Sequence, residues 1–453
     1  MTVLFWFTRD LRLQDNPALN AAVRNGGGSV AAVYQLDAPG YERLEGIRQH
    51  SLTESLRALS ASMGDALNVV TDLVATARAT AANRVFATRL FDPQGKREQL
   101  RVGRALAEFG VDLFLLDSPY AVAPGSVQKP DGTPYRVYTP FYKAWSAIGW
   151  GAPQPLPEGK ISWVTLPGGV GLPQPTKPAP FAVKAGEAFA LRTFERFKNR
   201  ALDQYDELRN RADLSGTSHL SHALAFGEIH PRTLLAQLND SKAHTVFAKE
   251  IAWREFYADV LWHNPHSLTD YYEPRFAKMR YDTGATAEAR LEAWKQGNTG
   301  YPMVDAGMRQ LLATGWMHNR VRMIVASFLV KDLHLEWQQG AEWFEANLSD
   351  FDPASNAHGW QWTAGCGTDA SPYYRVFNPV LQGLKFDPDG NYVRKYIPEL
   401  AHIRGKDAHT PWESHNGYDN GYAERIVDHD AERNESLARL EEIKINLAGH
   451  KDG

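Results

Sequence analysis

Residues 347–368, NLSDFDPASNAHGWQWTAGCGT, carry the reading from which the rest follows. Asp352 before Pro353 predicts a helix start, with a carboxylate at the cap and proline at the first helical position. Gly365 predicts its stop. Asp352, Asn356 and Trp360 are spaced by four residues and therefore share one face. A carboxylate, an amide and an indole on one face suit a flat, redox-active ligand with polar edges. The plainer alternative is an N-capped core helix with one large aromatic.

Outward from that helix, residues 186–446 read as helical almost throughout. AGEAFALRTFERFKNRALDQYDELRN predicts one amphipathic helix, and HTVFAKEIAWREFYADVLWHN a strong helix rich in aromatics. MVDAGMRQLLATGWMHNRVRMIVASFLVKDLH predicts two helices hinged at Gly315, and residues 423–447 a final acidic helix. There is no internal repeat and no heptad run.

The first 150 residues differ. TVLFWF (2–7), VAAVYQL (30–36), LNVV (67–70), RVFAT (84–88) and VDLFLL (111–116) are apolar runs of strand length, separated by helical segments. That alternation predicts a doubly wound parallel sheet. The predicted organisation is an α/β domain over 1–150, a proline- and glycine-rich linker over 151–185, and an all-α domain over 186–447. No GxGxxG or GxxxxGK[ST] follows a strand, which argues against a standard dinucleotide fold or a P-loop. Arg9, Asp10 and Arg12 follow the first strand, where they suit either a small ligand or a structural network.

Composition narrows the chemistry. A single cysteine, Cys366, excludes a disulfide framework, a zinc site or a cysteine-held iron–sulfur cluster within one chain, and no metal site is expected. No apolar run has membrane-spanning length, and charge follows the short N-terminal apolar run too closely for a signal peptide, so a cytoplasmic protein without membrane contact is expected. With 49 basic and 53 acidic residues the chain is no general polyanion binder, and any nucleic-acid contact needs a local patch. Of 13 tryptophans, all but Trp6 lie at or beyond Trp145, a density that suits core packing or stacking on a flavin or a base.

Several polar residues sit inside apolar helices. Asn319 and Arg322 lie on adjacent turns, and Arg320 and Met323 form a second pair. A buried guanidinium needs a partner, and Asp350 or Asp352 is available, either as an interhelix salt bridge or as the flank of a ligand ring. GTSHLS (216–221) is an ordinary N-cap or a neutral phosphate cradle, with Tyr205 one helix earlier. Glu250 and Arg254 are four apart beside Trp253: a surface ion pair, or an acceptor, a stacking face and a phosphate clamp that read a base.

Seven blocks in order resemble the DNA photolyase/cryptochrome family: WFTRDLRLQDNPAL, DGTPYRVYTPFYKAW, GTSHLS, EIAWREFY, TGYPMVDAGMRQL, GWMHNRVRMIVASFLVKDL and DFDPASNAHGWQWTAGCGTDASPYYRVFNP. They are most similar to class I cyclobutane pyrimidine dimer photolyases. The resemblance implies FAD in the helical domain. Tyr205 and Thr217, Ser218, His219, Leu220 and Ser221 match positions around its phosphates. Arg322 with Asp350 matches the pair beside the isoalloxazine, next to Phe351, and Asp352 with Asn356 matches the residues at the ring's polar edge and N5. Asn356 resembles photolyases, where plant cryptochromes carry Asp and insect ones Cys.

The resemblance further implies a lesion pocket of Glu250, Trp253, Asn319, Met323 and Trp362, and DNA contacts by Arg209, Arg254, Arg320, Arg375 and Gln382, with Glu250, Trp253 and Asn319 also at the DNA. Trp360 and Trp337 match two photoreduction tryptophans, and the outermost position departs from the pattern, with Tyr281 in its place. The implied activity is light-driven splitting of pyrimidine dimers in UV-damaged DNA by electron transfer from reduced FAD, in a monomer. The alternative is a cryptochrome-type photoreceptor without repair. A second, antenna chromophore is implied, methenyltetrahydrofolate or 8-hydroxy-5-deazaflavin. FDPQGKRE lacks the Asn-Glu pair of folate-binding members, which favours deazaflavin, another flavin or no antenna.

Overall fold

The structure is a computed structural model that describes residues 2–369 and 374–448. The described residues gather into two compact units. The first comprises Met1–Asp206, Ser218–Pro265 and Ser349–Asp352; the second comprises Glu207–Thr217, His266–Leu348 and Pro353–Gly453.

The first unit is built on a parallel sheet. Strands β1 (Thr2–Phe7), β2 (Ser29–Gln35), β3 (Asn68–Val70), β4 (Ala82–Thr88) and β5 (Asp112–Leu116) lie in the order β3-β2-β1-β4-β5. All five coincide with the apolar runs in the sequence. For β1 to β4 the reason is burial on both faces, whereas the edge strand β5 has no buried residue. Phe5, Phe7 and Val30 pack on one side with Leu19 and Leu56, while Leu4, Trp6 and Val33 pack on the other with Leu73 and Val102. A strand buried on both sides needs apolar residues at every position, not at alternate ones.

The strand order reverses between β1 and β4, where open α/β sheets bind ligands. Here Asp10 and Arg12, which follow β1, are bonded to protein groups. Asp10, fully buried, accepts hydrogen bonds from Thr88 Oγ1 at 2.7 Å and Asn16 Nδ2 at 3.2 Å. Arg12, 1% exposed, donates to the carbonyls of Asp15 and Gly227. Of the two roles open to these residues in the sequence, Asp10 and Arg12 hold the structural one.

Residues 151–185 are not a bare connection. Ser162–Trp163 forms a short strand, β6, parallel to β2, and Gln49 Oε1 accepts from the backbone N–H groups of Thr176 and Lys177. The single helix expected over 185–210 is broken. It runs Glu187–Arg200, then a 3-10 turn Leu202–Gln204, then Tyr205–Leu208. Amphipathic periodicity continues through Ala201, but that residue leaves helical geometry at φ −138°. The terminal helix starts at His429 rather than at 423.

The second unit is helical. Pro302–Thr314 ends at Gly315, whose φ of 59° is left-handed, and Asn319–Lys331 follows, so the expected hinge is present. Trp337–Asn347 and Pro353–Ala364 complete its central group, the latter stopping at Gly365 as the sequence predicts.

Candidate functional site

In the second unit, Trp360 is 3% exposed. Its ring lies 5.0 Å from that of Phe344 and 6.1 Å from that of Trp294. Gly340 makes this packing feasible, since a Cβ there would come within 2.1 Å of the Trp360 ring. One turn back, Trp337 is 1% exposed. The indole nitrogens of Trp360 and Trp337 have no hydrogen-bond partner among the described residues. Tyr281 stacks near Tyr271, with centroids 6.4 Å apart, and Tyr271 meets Trp337 edge-on at 6.3 Å. Tyr271 had no signal in the sequence, because nothing in its spacing ties it to Trp337.

Asn356 donates from Nδ2 to the Ala341 carbonyl at 3.0 Å, which fixes the amide and settles which way its oxygen points. Arg322 Nε donates to the Met317 carbonyl at 2.8 Å. Arg320 Nε donates to Asn210 Oδ1 at 2.6 Å, its Nη1 lies 3.7 Å from Met323 Sδ, and its guanidinium covers the Phe386 ring. Arg320 and Met323 are therefore brought together. Asn319 and Arg375 are exposed, and Arg209, Thr217 and Gln382 are half-buried. Trp362, also half-buried, donates from Nε1 to the Asp369 carbonyl at 3.1 Å. Of the block 350–379, residues 370–373 lie outside the described residues.

In the first unit, Trp253 lies flat on Tyr138, with centroids 3.7 Å apart and planes 7° from parallel. Tyr138 is itself held, its hydroxyl donating to the Lys249 carbonyl at 2.7 Å. Glu250, one turn before Trp253 on the helix Lys242–His263, is half-buried. Arg254 donates to the carbonyls of Pro119 and Leu224 and lies over the Tyr120 ring at 4.5 Å. Its next neighbour, Glu255, anchors the helix. Its carboxylate accepts from Ala121 N, Val122 N and Trp145 Nε1, and burial raises its pKa to about 7. Sequence reasoning missed both Tyr138 and Glu255, although Tyr138 sits inside a quoted block.

Asp352, 7% exposed, pairs with Arg9 at 2.7 Å, and Arg9 also lies 3.9 Å from Asp92. Asp352 directly precedes the helix Pro353–Ala364, at the cap position the sequence predicts, and also binds Arg9. Asp350 is 5% exposed, and Phe351 lies under the Arg48 guanidinium at 4.6 Å. Tyr205 is buried edge-on to Phe197 and Phe247. In 218–221, Leu220 is buried while His219 and Ser221 are exposed, and His219 turns the backbone at φ 53°.

Two family profiles match the chain: "DNA photolyase" over residues 3–160 and "FAD binding domain of DNA photolyase" over 247–442. The chain belongs to the DNA photolyase/cryptochrome family. Among proteins similar to this photolyase-family chain is the deoxyribodipyrimidine photo-lyase of Agrobacterium fabrum, 38% identical over 98% of each chain. A bacterial class III photolyase from Agrobacterium tumefaciens superposes with a TM-score of 0.89 at 37% identity, covering 98% of both chains. An archaeal photolyase from Sulfolobus tokodaii, solved with two FAD molecules, gives a TM-score of 0.83 at 26% identity, covering 98% of this chain and 100% of that one.

The family chain therefore has an FAD-binding domain, and its side chains fit that cofactor. The turn at 218–221 offers neutral hydroxyls and backbone N–H groups rather than carboxylates, which suits a diphosphate. The locked Asn356 amide supplies an oriented polar group of the kind a flavin edge takes. Among the described residues no group of three or more His, Cys, Asp or Glu could hold a metal, and no helix is long and apolar enough to cross a membrane.

Proposed function

We propose that the chain repairs cyclobutane pyrimidine dimers in UV-damaged DNA, driven by blue light. The observation that carries this reading is the Trp253–Tyr138 stack. An indole held flat from behind at 3.7 Å is a rigid wall for a flipped-out base, and Glu250 on the next turn offers a carboxylate to a base edge. Whole-length similarity to a deoxyribodipyrimidine photo-lyase supports the same substrate. The solved relative at 37% identity is a class III photolyase, so the proposal is dimer repair without the class I label.

FAD, when bound, supplies the light absorption and the electron that ring splitting needs. The chain's own residues do the rest. Trp253, with Trp362 as a second wall, stacks on the dimer, while Glu250 and Asn319 hydrogen-bond its edges and Met323 packs beside it. Asn356 fixes the polar environment of the flavin edge, with Asp352, Asp350, Arg322 and the 217–221 turn holding the remainder of the cofactor. Arg209, Arg254, Arg320, Arg375 and Gln382 are the proposed DNA contacts. Arg254 is already bonded to two carbonyls, so its contribution is to fix the Trp253 helix as much as to meet phosphate. Trp360 and Trp337 carry electrons to oxidised cofactor.

The deciding experiment follows dimers in irradiated DNA under blue light with purified protein whose FAD is reduced. Dimers should disappear only in the light. Unchanged dimer content would replace this reading with a photoreceptor that does not repair. The absorption spectrum of the same protein identifies the antenna, for which the two-FAD archaeal relative adds support for a second flavin beside deazaflavin and folate.

A further inference from the structure

The second unit holds a proton acceptor next to its aromatic chain. Tyr271 is 4% exposed and meets Trp337 edge-on, ring centroids 6.3 Å apart at 85°. Its hydroxyl donates to Glu336 Oε1 at 3.1 Å. Glu336 directly precedes Trp337, keeps extended backbone at ψ 140°, and is half-buried, so its carboxylate has a route to solvent. The Tyr281 ring lies 6.4 Å from that of Tyr271 and 21° from parallel.

Trp337 differs from Tyr271 in one decisive respect. Its Nε1 is buried with no hydrogen-bond partner among the described residues. An oxidised indole there cannot pass its N–H proton to an acceptor, so it stays a cation and keeps its full oxidising power. A phenol hydrogen-bonded to a carboxylate can release electron and proton together. The electron vacancy therefore moves from the ring that cannot shed a proton to the neighbouring ring that can.

We propose that Tyr271 is the donor that refills oxidised Trp337, with Glu336 taking the phenol proton. The proposal rests on the reading of Trp337 as an electron relay; the initial oxidant is a photoexcited, oxidised flavin. One electron passes from the Tyr271 ring to the Trp337 radical cation, restoring neutral indole. The Tyr271 O–H bond breaks, and its proton bonds to Glu336 Oε1. The products are a neutral phenoxyl radical at 271 and a carboxylic acid at 336. Tyr281 is then the next ring outward, reached through Tyr271 rather than from Trp337 directly.

Flash illumination of flavin-loaded protein, read by transient absorption and electron paramagnetic resonance, tests this. Wild type should form a phenoxyl signal that appears more slowly in deuterium oxide. Tyr271→Phe should lose that signal and retain the tryptophan radical; Glu336→Gln should delay the signal and lose the isotope effect. Ring-deuterated tyrosine placed at 271 alone should narrow the spectrum in a protein with no altered contact. A phenoxyl signal surviving Tyr271→Phe, or unchanged kinetics in Glu336→Gln, would overturn the proposal. A tryptophan radical alone in wild type overturns Tyr271 as donor and leaves the relay standing. No radical of either kind, with flavin bound, overturns both.

Discussion

Trp253 and Tyr138 stack face to face, 3.7 Å apart, and the tyrosine hydroxyl is tied to the Lys249 carbonyl. One face of the indole is thereby occupied by protein. A base that stacks on Trp253 meets a surface already ordered before binding, so little side-chain entropy is lost when it does.

Removing the backing ring should therefore weaken substrate binding. Tyr138→Leu removes the ring and its hydroxyl bond, and the lost stack is worth about 0.5–1.5 kcal/mol, or roughly two- to tenfold in affinity. Fluorescence titration with dimer-containing DNA measures it. Undamaged DNA should be affected much less, and equal losses on both would remove Trp253 from the lesion.

Glu255 predicts a pH dependence of stability. Burial raises its carboxyl from 4.5 to about 7, so between these values the folded chain keeps a proton that the unfolded chain has released. Stability from this group is full below the unfolded value and is lost as pH rises toward 7, by about 3 kcal/mol in total. Glu255→Gln should be less stable overall, because an amide cannot accept all three hydrogen bonds, yet its melting temperature should fall less steeply between pH 5 and 8. A slope equal to wild type would show that Glu255 stays ionised throughout.

Most of the fold was legible, and the reasons are local. Strands β1 to β4 were readable because a sheet covered on both faces needs unbroken apolar runs, the edge strand β5 because DLFLL is itself an apolar run although it is not buried, and the Asp352–Pro353 start and Gly365 stop because caps act within one turn. The break at Ala201 was not, since periodicity is blind to a single residue leaving helical geometry. Within the candidate site, the placement of Asn356 and Trp360 on one helix was legible from their four-residue spacing. The site was not legible where a partner comes from a distant segment. Tyr138 lies 115 positions from Trp253, and the Arg9–Asp352 pair spans 343. Spacing rules describe one helix face or one strand and carry no information across such distances.

Gly340→Ala tests the tight seat of Trp360. The added Cβ would come within 2.1 Å of the indole and 2.6 Å of Leu329, so one of them must shift. Overpacking of this kind costs about 1–3 kcal/mol, readable as a lower denaturant midpoint. Photoreduction of oxidised FAD should slow in the same variant, and in Trp360→Phe should fall further. A Gly340→Ala protein with wild-type stability would mean that the helix Trp337–Asn347 yields without strain.

Arg9→Ala tests the ion pair that holds Asp352. The Arg9 side chain is 24% exposed and that of Asp352 7%, so the pair is only partly screened by solvent. Truncating the arginine leaves a buried carboxylate short of its cation, and that carboxylate adjoins the first turn of the helix carrying Asn356 and Trp360. Such a loss costs about 3–5 kcal/mol for fully buried pairs and less here, given the exposure of Arg9. Two effects are expected together: a lower melting temperature and weaker FAD retention on gel filtration. Arg9→Lys should restore part of the stability through charge alone. Arg9→Met, which keeps most of the side-chain packing without the charge, should be no more stable than Arg9→Ala, and wild-type stability in Arg9→Met would show that the arginine's packing, not its charge, is what holds this corner.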